Sequence, residues 1–248
     1  MDLGLEGKVA LVTAGSKGIG RGIADALSAE GAKVAVTSRS TERAEAVAGE
    51  IGGCGYAFDA NDLDAIPGLV ETVEADLGPI DIYIANTGGP PAGDPLSFSR
   101  DDWESAHRTL LLAPTEIIQR VLPGMRERGF GRVVAIGSMA VREPIDAIQL
   151  SNAHRPGLVA AFKVLARQYA GDGVTFNHVH PGRIATDRMI ETSGSLEAAE
   201  EMARKEIPAG RLGTVEELAA AAAFLCSTRA AYINGTAILV DGAVARSV

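Results

Sequence analysis

The chain has few aromatic side chains and little sulfur. Phe, Trp and Tyr make up 4% of its 248 residues, and there are two cysteines. Cys54 lies in a glycine-rich stretch and Cys226 ends an alanine-rich run, with no CxxC or His–Cys spacing. The sequence therefore predicts neither a metal site nor a disulfide framework. Two ordinary thiols are typical of a reducing compartment.

Three further absences limit the class of protein. The formal net charge of -9 argues against a general nucleic-acid binder, which needs clustered cations. The longest apolar run, residues 218–226, is too short to cross a bilayer. The N-terminus has neither the basic start nor the apolar run of a signal peptide. We therefore expect a cytoplasmic protein that acts on a small molecule and binds neither nucleic acid nor membranes.

What the chain does have is an alternation of apolar strand patterns and helical patterns. Predicted strands cover Lys8–Thr13, Lys33–Ser38, Gly55–Phe58, Ile80–Ala85, Arg132–Ile136, Val174–Val179 and Ala237–Val240. Predicted helices cover Gly18–Ala29, Thr41–Glu50, Asp62–Leu77, Arg100–Arg128, Asn152–Ala170 and Val215–Ser227. Strands that are apolar throughout are buried on both faces of a parallel sheet. The expected fold is α/β, a doubly wound parallel sheet of the Rossmann type in a single domain over residues 1–248.

Two segments are predicted to be less regular. The long helix over residues 100–128 should begin at the N-cap Ser99 and be disturbed at Pro114. Residues 181–212 are too long for a simple connection. One or two short helices should form there, and residues from about 185 to 212 should act as a lid over a pocket.

The first strand runs directly into a glycine-rich turn. Glycines let a backbone approach a pyrophosphate, and the N-terminus of the following helix supplies unpaired N–H donors. A turn of this kind between a strand and a helix predicts a dinucleotide site, whereas the alternative is a tight turn without a ligand. The candidate binding residues in the turn are Thr13, Gly15, Ser16, Lys17, Gly18, Ile19 and Gly20.

This turn resembles that of the short-chain dehydrogenase/reductase family, which opens with Thr-Gly-x-x-x-Gly-x-Gly. Ala14 replaces the first glycine, and we expect Gly15 to supply the missing backbone freedom. Further similar segments lie at residues 85–88, 177–182, 208–217 and 233–242. The resemblance covers nearly the whole chain and is closest in pattern to 3-oxoacyl-[acyl-carrier-protein] reductase-like members.

The resemblance implies further contacts and an assembly. Asp59 and the adjacent Ala60 would lie at the adenine, and Asn86 and Gly88 would line the cleft after the fourth strand. The residues implied to hold the nicotinamide are Pro181, Gly182, Ile184 and Thr186. The family likeness also implies a homotetramer, with the long helix near Trp103 and the helix after Ser151 buried between subunits.

The end of the second strand indicates which nucleotide is preferred. An NAD site usually has a carboxylate there for the ribose 2′-hydroxyl, and this chain has none. Arg39 and Ser38 stand there instead, and Lys17 adds a second cation from the phosphate loop. Because a guanidinium suits a phosphate, we predict NADP(H) as cofactor, with NAD(H) less favoured. The alternative is that both cations are solvated surface charges.

The catalytic positions depart from the family. Its members use an Asn, a Ser, a Tyr that donates the proton and a Lys that lowers the pKa of that Tyr. Ser138 matches the serine, but the tyrosine position is Ser151, the lysine position is Arg155 and the asparagine position is Leu110. We predict Ser138, Ser151 and Arg155 as the catalytic group.

Proton supply is the open question at these positions. A serine is a far weaker acid than a phenol, and Arg155 stays charged. A water held by the three residues is one hypothesis, and an acceptor such as a quinone that needs no strong acid is another. His154 and His180 could each act as an acid, although hydrogen-bonded structural roles are more typical.

The sequence thus predicts an NADP(H)-dependent oxidoreductase that reduces a carbonyl (3-oxoacyl-like) or quinone substrate through an altered proton relay. A second hypothesis is a nucleotide-binding protein without turnover, acting as a sensor or partner subunit. A third is a dehydration or isomerisation with His154 or His180 as base. The residues name neither the substrate nor the direction of the reaction.

Overall fold

The computed structural model describes residues 1–247, and seven strands within them form one parallel sheet. The strands are β1 (Val9–Val12), β2 (Lys33–Ser38), β3 (Cys54–Ala57), β4 (Ile82–Ala85), β5 (Gly131–Ile136), β6 (Val174–Pro181) and β7 (Ala237–Val240). Their order is β3-β2-β1-β4-β5-β6-β7, and every neighbouring pair is parallel. The predicted doubly wound Rossmann-like sheet is confirmed.

Helices cover both faces of this sheet. They are α1 (Gly18–Ala29), α2 (Thr41–Glu50), α3 (Ile66–Leu77), α4 (Arg100–His107), α5 (Ala113–Glu127), α6 (Gln149–Tyr169), α7 (Asp187–Ser193), α8 (Leu196–Glu206) and α9 (Val215–Cys226). Alternate residues of a strand point to opposite faces. In β5, Val133 and Ala135 pack with α3, α5 and α6, whereas Val134 and Ile136 pack with α1 and α9. Both faces are therefore dry, as the unbroken apolar strands predict.

The strand order reverses at β1, which pairs with β2 on one side and β4 on the other. After β1 the chain crosses to β2 on one side, and after β4 it crosses to β5 on the other. A crevice therefore opens beyond the carboxyl ends of β1 and β4. Ligands of open α/β sheets bind in such a crevice. A ligand site is therefore expected at the loops that follow β1 and β4.

The long helix predicted over residues 100–128 is divided. A capping box between Ser99 and Asp102 starts α4, a π-helical turn covers Arg108–Leu112, and α5 follows. Pro114 lies in the first turn of α5 and has no N–H to donate, so it cannot continue the regular ladder. The disturbance expected at Pro114 is confirmed. Elsewhere the ends of elements differ by a few residues from the prediction, most clearly at α3, which begins at Ile66 rather than Asp62.

Residues 181–212 contain the two short helices α7 and α8, as expected. Thr186 caps α7 by accepting a hydrogen bond from the N–H of Met189, and Ser195 caps α8 in the same way from Ala198. A parallel bridge between Ile184 and Gly213 ties the two ends of this segment together. No helix among residues 1–247 combines the length and the apolar character needed to cross a membrane.

Candidate active site and nucleotide cleft

The glycine-rich turn after β1 has a left-handed residue where the family pattern has a glycine. Ala14 has a φ of 47°, and Gly15 is not in that region. The expectation that Gly15 supplies the missing freedom is therefore wrong. Gly15 is needed for space instead, because a Cβ there would lie 3.1 Å from side-chain atoms of Val12 and Val36. Ala14 keeps the turn at a cost of about 1–2 kcal/mol.

Asn86, buried at the end of β4, holds this turn in place. Its Nδ2 donates to the carbonyl oxygens of Thr13 (3.2 Å) and Ala14 (3.1 Å). The hydroxyl of Thr13 donates back to the Asn86 carbonyl at 2.8 Å. A Cβ on Gly20 would lie 2.5 Å from both the Ala14 oxygen and the Asn86 Nδ2. Glycine at position 20 thus lets helix α1 start directly beneath the turn.

The N-terminus of α1 is open to an anion. Its N-cap, Lys17, makes no side-chain capping bond, and the first turn contains no acidic residue. The free N–H groups and the positive end of the helix dipole therefore face the crevice. A Cβ on Gly18 would lie 3.5 Å from the Thr186 methyl group, so the segment after β6 closes against this turn. The predicted phosphate-loop and post-β6 residues are brought together, with Ser16 and Ile19 between the glycines.

The residues predicted to read the ribose lie at the end of β2. Ser38 is buried and its Oγ accepts from the N–H of Ser40 at 3.3 Å. Arg39 and Lys17 are exposed, and neither pairs with a side chain among residues 1–247. Both cations are therefore available to a 2′-phosphate. The exposure of Arg39 and Lys17 also fits the alternative that both are solvated surface charges.

The adenine side of the cleft is less defined. Asp59 is exposed, and its Oδ1 accepts from the N–H of Asn61 at 2.9 Å. The neighbouring Ala60 is half-buried and Gly88 is exposed beyond β4. These positions border the crevice, and the Asp59 bond shapes the turn that would face an adenine.

Arg155 ties Ser151 to the end of β5, two residues before Ser138. The Arg155 guanidinium donates through Nε to the Ser151 Oγ (3.1 Å) and through Nη1 to the Ile136 carbonyl (2.6 Å). Ser138 follows Ile136 by two residues, and its Oγ accepts from the N–H of Ala140 at 3.1 Å. Arg155 therefore joins helix α6 to the strand that carries Ser138.

Both hydroxyls are used as acceptors in these bonds. A serine carries one O–H donor besides its lone pairs, so Ser138 and Ser151 each keep a proton to donate. Donation from the guanidinium to Ser151 polarises that hydroxyl and strengthens its own donation. The site can thus present two O–H donors, one of them backed by a positive charge.

The position of the family asparagine is apolar here. Leu110 lies in the π-helical turn, is 2% exposed and packs with Ala106, Leu150 and Trp103. A leucine cannot hold a water molecule through its side chain. A relay from that side, of the kind the family asparagine would support, has no polar group at this position.

Burial lowers the pKa of Arg155 to about 10, and the positive charge of Arg188 adds to the effect. Arg155 still carries its charge at neutral pH. It can orient and polarise neighbours but does not give up a proton near pH 7.

The two histidines of β6 are buried and neutral. Burial, followed by the repulsion of neighbouring positive charges, lowers the pKa of His178 to about 3 and of His180 to about 4. The ring of His180 lies against the backbone of Gly137, beside Ser138. A group with a pKa of about 4 is almost wholly unprotonated at pH 7, so His180 is poorly suited to act as the proton donor there.

His154 has structural partners. Its Nδ1 lies 2.7 Å from the Leu150 carbonyl, and its ring lies 5.6 Å from the ring of Trp103 and 5.8 Å from that of His107. These contacts accord with the structural role that the sequence favours for it.

The low pKa values of His178 and His180 predict loss of stability in acid. The unfolded state takes up protons as the pH falls below 6.5, whereas the folded state does so only near pH 3–4. Stability is thus full above pH 6.5 and falls as the pH drops through this window. Between pH 7 and 5 the loss should be about 2 kcal/mol for each histidine. Urea unfolding at both pH values measures it.

The control distinguishes the effect of protonating these two histidines from that of protonating carboxylates, which also lowers stability in acid. The double variant His178→Asn/His180→Asn should lose much less stability between pH 7 and 5 than the parent protein. The variant His107→Asn, at an exposed position, should behave like the parent. An equal pH dependence in all three proteins would contradict the assignment.

The cleft fits a dinucleotide. It has a backbone cradle that a Cβ at position 20 would fill, an uncapped helix N-terminus and two unpaired cations at the end of β2 and in the loop. Fold and cleft together define a dinucleotide-binding protein of the Rossmann type.

Residues 13–244 match the family model described as enoyl-(acyl carrier protein) reductase. The chain belongs to the short-chain dehydrogenase/reductase family.

Several of its relatives and structural neighbours are reductases. The 3-oxoacyl-[acyl-carrier-protein] reductase of Escherichia coli (strain K12) is 35% identical over 242 residues, which cover 97% of this chain and 98% of the relative. L-sorbose reductase from Gluconobacter frateurii, solved with NADPH and L-sorbose, superimposes with a TM-score of 0.94 at 28% identity, covering both chains fully. The 3-ketoacyl-(acyl-carrier-protein) reductase from Brucella melitensis, solved with NADH, gives 0.88 at 28% identity, covering 97% of this chain and 99% of the other.

The predicted family and its class of activity, an NAD(P)-dependent oxidoreductase, are confirmed by these matches. The sequence analysis missed Arg188, which lies in the first turn of α7 and donates to the carbonyl oxygens of Gly89 and Pro90, each at 2.8 Å. In the sequence, Arg188 could be linked to the site only by its position two residues after Thr186. Its bonding partners are backbone atoms of a distant loop, which no residue pattern identifies.

Proposed function

We propose that the protein is an NADP(H)-dependent reductase of a carbonyl or quinone substrate with an altered proton relay. The observation that carries this proposal is the Arg155 bridge between Ser151 and the end of β5, beside Ser138. It preserves an organised polar site at the three positions where the family places its serine, tyrosine and lysine. A protein that only bound nucleotide would have no need of it.

The chain's own residues define how the cofactor would be held. The N-terminus of α1 and the backbone of residues 14–20 take the pyrophosphate, and Arg39 with Lys17 takes the 2′-phosphate. Asp59 and Ala60 border the adenine, and Gly88 lines the floor of the nucleotide cleft. Residues 181–186 hold the carboxamide, as the family likeness implies. When bound, the reduced nicotinamide supplies a hydride to the substrate carbon.

Ser138 and Ser151 then act on the substrate oxygen. As the carbon accepts the hydride, the electron pair of the C=O bond moves to oxygen, and both O–H donors stabilise the negative charge that develops. Arg155 polarises Ser151 and holds it in place. The proton comes from solvent through water held by these hydroxyls, because neither a serine nor the guanidinium releases one readily near pH 7. A quinone, whose reduced oxygen is itself stabilised, places the smallest demand on this relay.

The 185–212 segment is proposed as the lid over this substrate. Ala199, Ala203, Ile207 and Leu212 form a small buried cluster within it, and Val244 from the C-terminal stretch packs against this cluster. The segment is attached at both ends by the Ile184–Gly213 bridge. The cluster and the bridge hold the segment together at the mouth of the crevice, and the Ala209 N–H ties it to the Gly242 carbonyl.

We also propose a cytoplasmic homotetramer. The two cysteines are free thiols, which accords with a reducing compartment.

Helix α6 exposes small and apolar residues at helical spacing, namely Ala153, Gly157, Ala160 and Val164. Such a stripe supports close packing against the same helix of another subunit.

The test is a pair of calorimetric titrations with NADPH and NADH, followed by turnover assays with ketones and quinones. Tighter binding of NADPH, with oxidation of NADPH in the presence of a ketone or quinone, is the expected result. Binding without turnover of any substrate would favour the non-catalytic hypothesis. Absence of binding by either nucleotide would overturn the proposal.

A further inference from the structure

Arg155 is a half-buried cation without a carboxylate partner. Eight ion pairs form among residues 1–247, and none includes Arg155. Its bonds go to a neutral hydroxyl and a neutral carbonyl. The Nη2 donors have no acceptor among the described residues. Removing a charge from water is costly unless an opposite charge compensates it.

A second unpaired cation is anchored to the loop after β4, the strand that pairs with β5. Arg188 makes no ion pair within the described part of the chain, and its two bonds go to the carbonyl oxygens of Gly89 and Pro90. Its charge is near enough to disfavour the charge on Arg155. Two guanidinium groups that repel each other gain from an anion placed between them.

The two anchors locate this pair at the mouth of the crevice. The carbonyl bound by Arg155 belongs to Ile136, the last residue of β5, and Gly89 and Pro90 follow the neighbouring strand β4. Ser138, the proposed donor to the substrate oxygen, lies two residues beyond Ile136. An anion held by both arginines would therefore sit beside the group that is reduced.

We propose that the substrate carries a carboxylate one carbon away from its carbonyl group, as in a 3-oxo acid, and that Arg188 on the lid binds this carboxylate together with Arg155. The planar fork of a guanidinium matches a carboxylate in geometry as well as charge. Arg188 reaches from α7 across to the β4 loop, so the same contact would hold the lid over a bound acid. This inference rests on the proposed reductase function and names its substrate class.

The cofactor is the competing source of negative charge. Thr186 lies against Gly18 of the phosphate loop, and Arg188 follows it by two residues, so a role at the pyrophosphate is the outcome to distinguish. The pyrophosphate already has the open N-terminus of α1. The anchors of both arginines lie instead at the ends of β4 and β5.

The experiment compares matched acids and esters. The parent protein, Arg188→Gln and a control variant, Arg204→Gln at an exposed position on α8, are assayed with NADPH. The probes are acetoacetate and 3-oxooctanoate, each beside its methyl ester. In parallel, the NADP⁺-loaded proteins are titrated calorimetrically with the same compounds, which measures affinity without turnover.

The parent should prefer each acid over its ester by about tenfold or more in kcat/KM, as expected for a charge-assisted bond. Arg188→Gln should remove most of that preference, measured as the acid-to-ester ratio of kcat/KM within each protein, and Arg204→Gln should keep the ratio of the parent. Higher ionic strength should weaken binding of the acid but not of the ester.

Equal affinities for acid and ester in the parent, including no binding of either, would overturn the inference. So would an Arg188→Gln variant that binds NADPH more weakly but keeps the acid preference, because the cation would then serve the cofactor. Turnover of neutral ketones in either case would leave the reductase function standing. Arg188-dependent binding of the acids without turnover would support the inference while contradicting the reductase function.

Discussion

Replacing Arg155 with alanine is expected to abolish turnover. The guanidinium supplies the donor to Ser151 and the tie to the end of β5, and its loss leaves Ser151 without a polarising charge. Loss of one preorganised donor to a developing negative charge costs about 10²–10³-fold in rate, so kcat should fall by at least about a hundredfold. Steady-state oxidation of NADPH with the best ketone or quinone substrate measures it.

Two controls separate this effect from a failure to fold. Calorimetric titration with NADPH tests whether the nucleotide cleft survives in Arg155→Ala. Arg167→Ala removes an exposed cation from the same helix and should leave kcat unchanged. Arg155→Lys should restore only part of the rate, because one ammonium group cannot reproduce both guanidinium bonds. Unchanged activity in Arg155→Ala would remove this residue from the mechanism.

Replacing Arg39 with alanine is expected to weaken NADPH binding by about 1–3 kcal/mol and leave NADH binding nearly unchanged. This range corresponds to the loss of a charge-assisted hydrogen bond to phosphate. Arg39 is exposed at the end of β2 and pairs with no side chain among residues 1–247, so its removal costs no contact within the chain. The preference for NADPH should therefore fall by about 5- to 150-fold.

The matched control is Lys33→Ala at the opposite end of β2, where an exposed cation lies away from the carboxyl edge of the sheet. It should bind both nucleotides like the parent. Lys17→Ala should lower NADPH affinity in the same direction as Arg39→Ala. Equal losses for NADH and NADPH in Arg39→Ala would show that the guanidinium does not read the 2′-phosphate.

The phosphate loop shows how far residue patterns lead. Its glycines, the strand before it and the helix after it predict a pyrophosphate site from local sequence, because the need for close backbone approach is itself local. The backbone conformation of Ala14 was not predictable in this way. It depends on Asn86, which lies about seventy positions further along the chain and holds the Thr13 and Ala14 carbonyls.

The catalytic positions show a different limit. Ser138, Ser151 and Arg155 were found by their register with the family pattern, and the structure bonds Arg155 to Ser151 and to Ile136, two residues before Ser138. Their register does not reveal whether Arg155 has a counter-charge, whether Leu110 is buried, or that the rings of His178 and His180 are buried and neutral. Each of these depends on atoms supplied by other elements, so no local pattern contains it.

The sequence by itself determined the class of fold and the nucleotide cleft. Apolar strands alternating with helices have one economical packing, and a strand, a glycine turn and a helix N-terminus have one obvious ligand type. Only the tertiary structure decided the electrostatics of the substrate end. It joined α7 to the β4 loop through Arg188 and placed that charge near Arg155. Interaction between charges depends on distance and burial, and both are set by the folded chain as a whole.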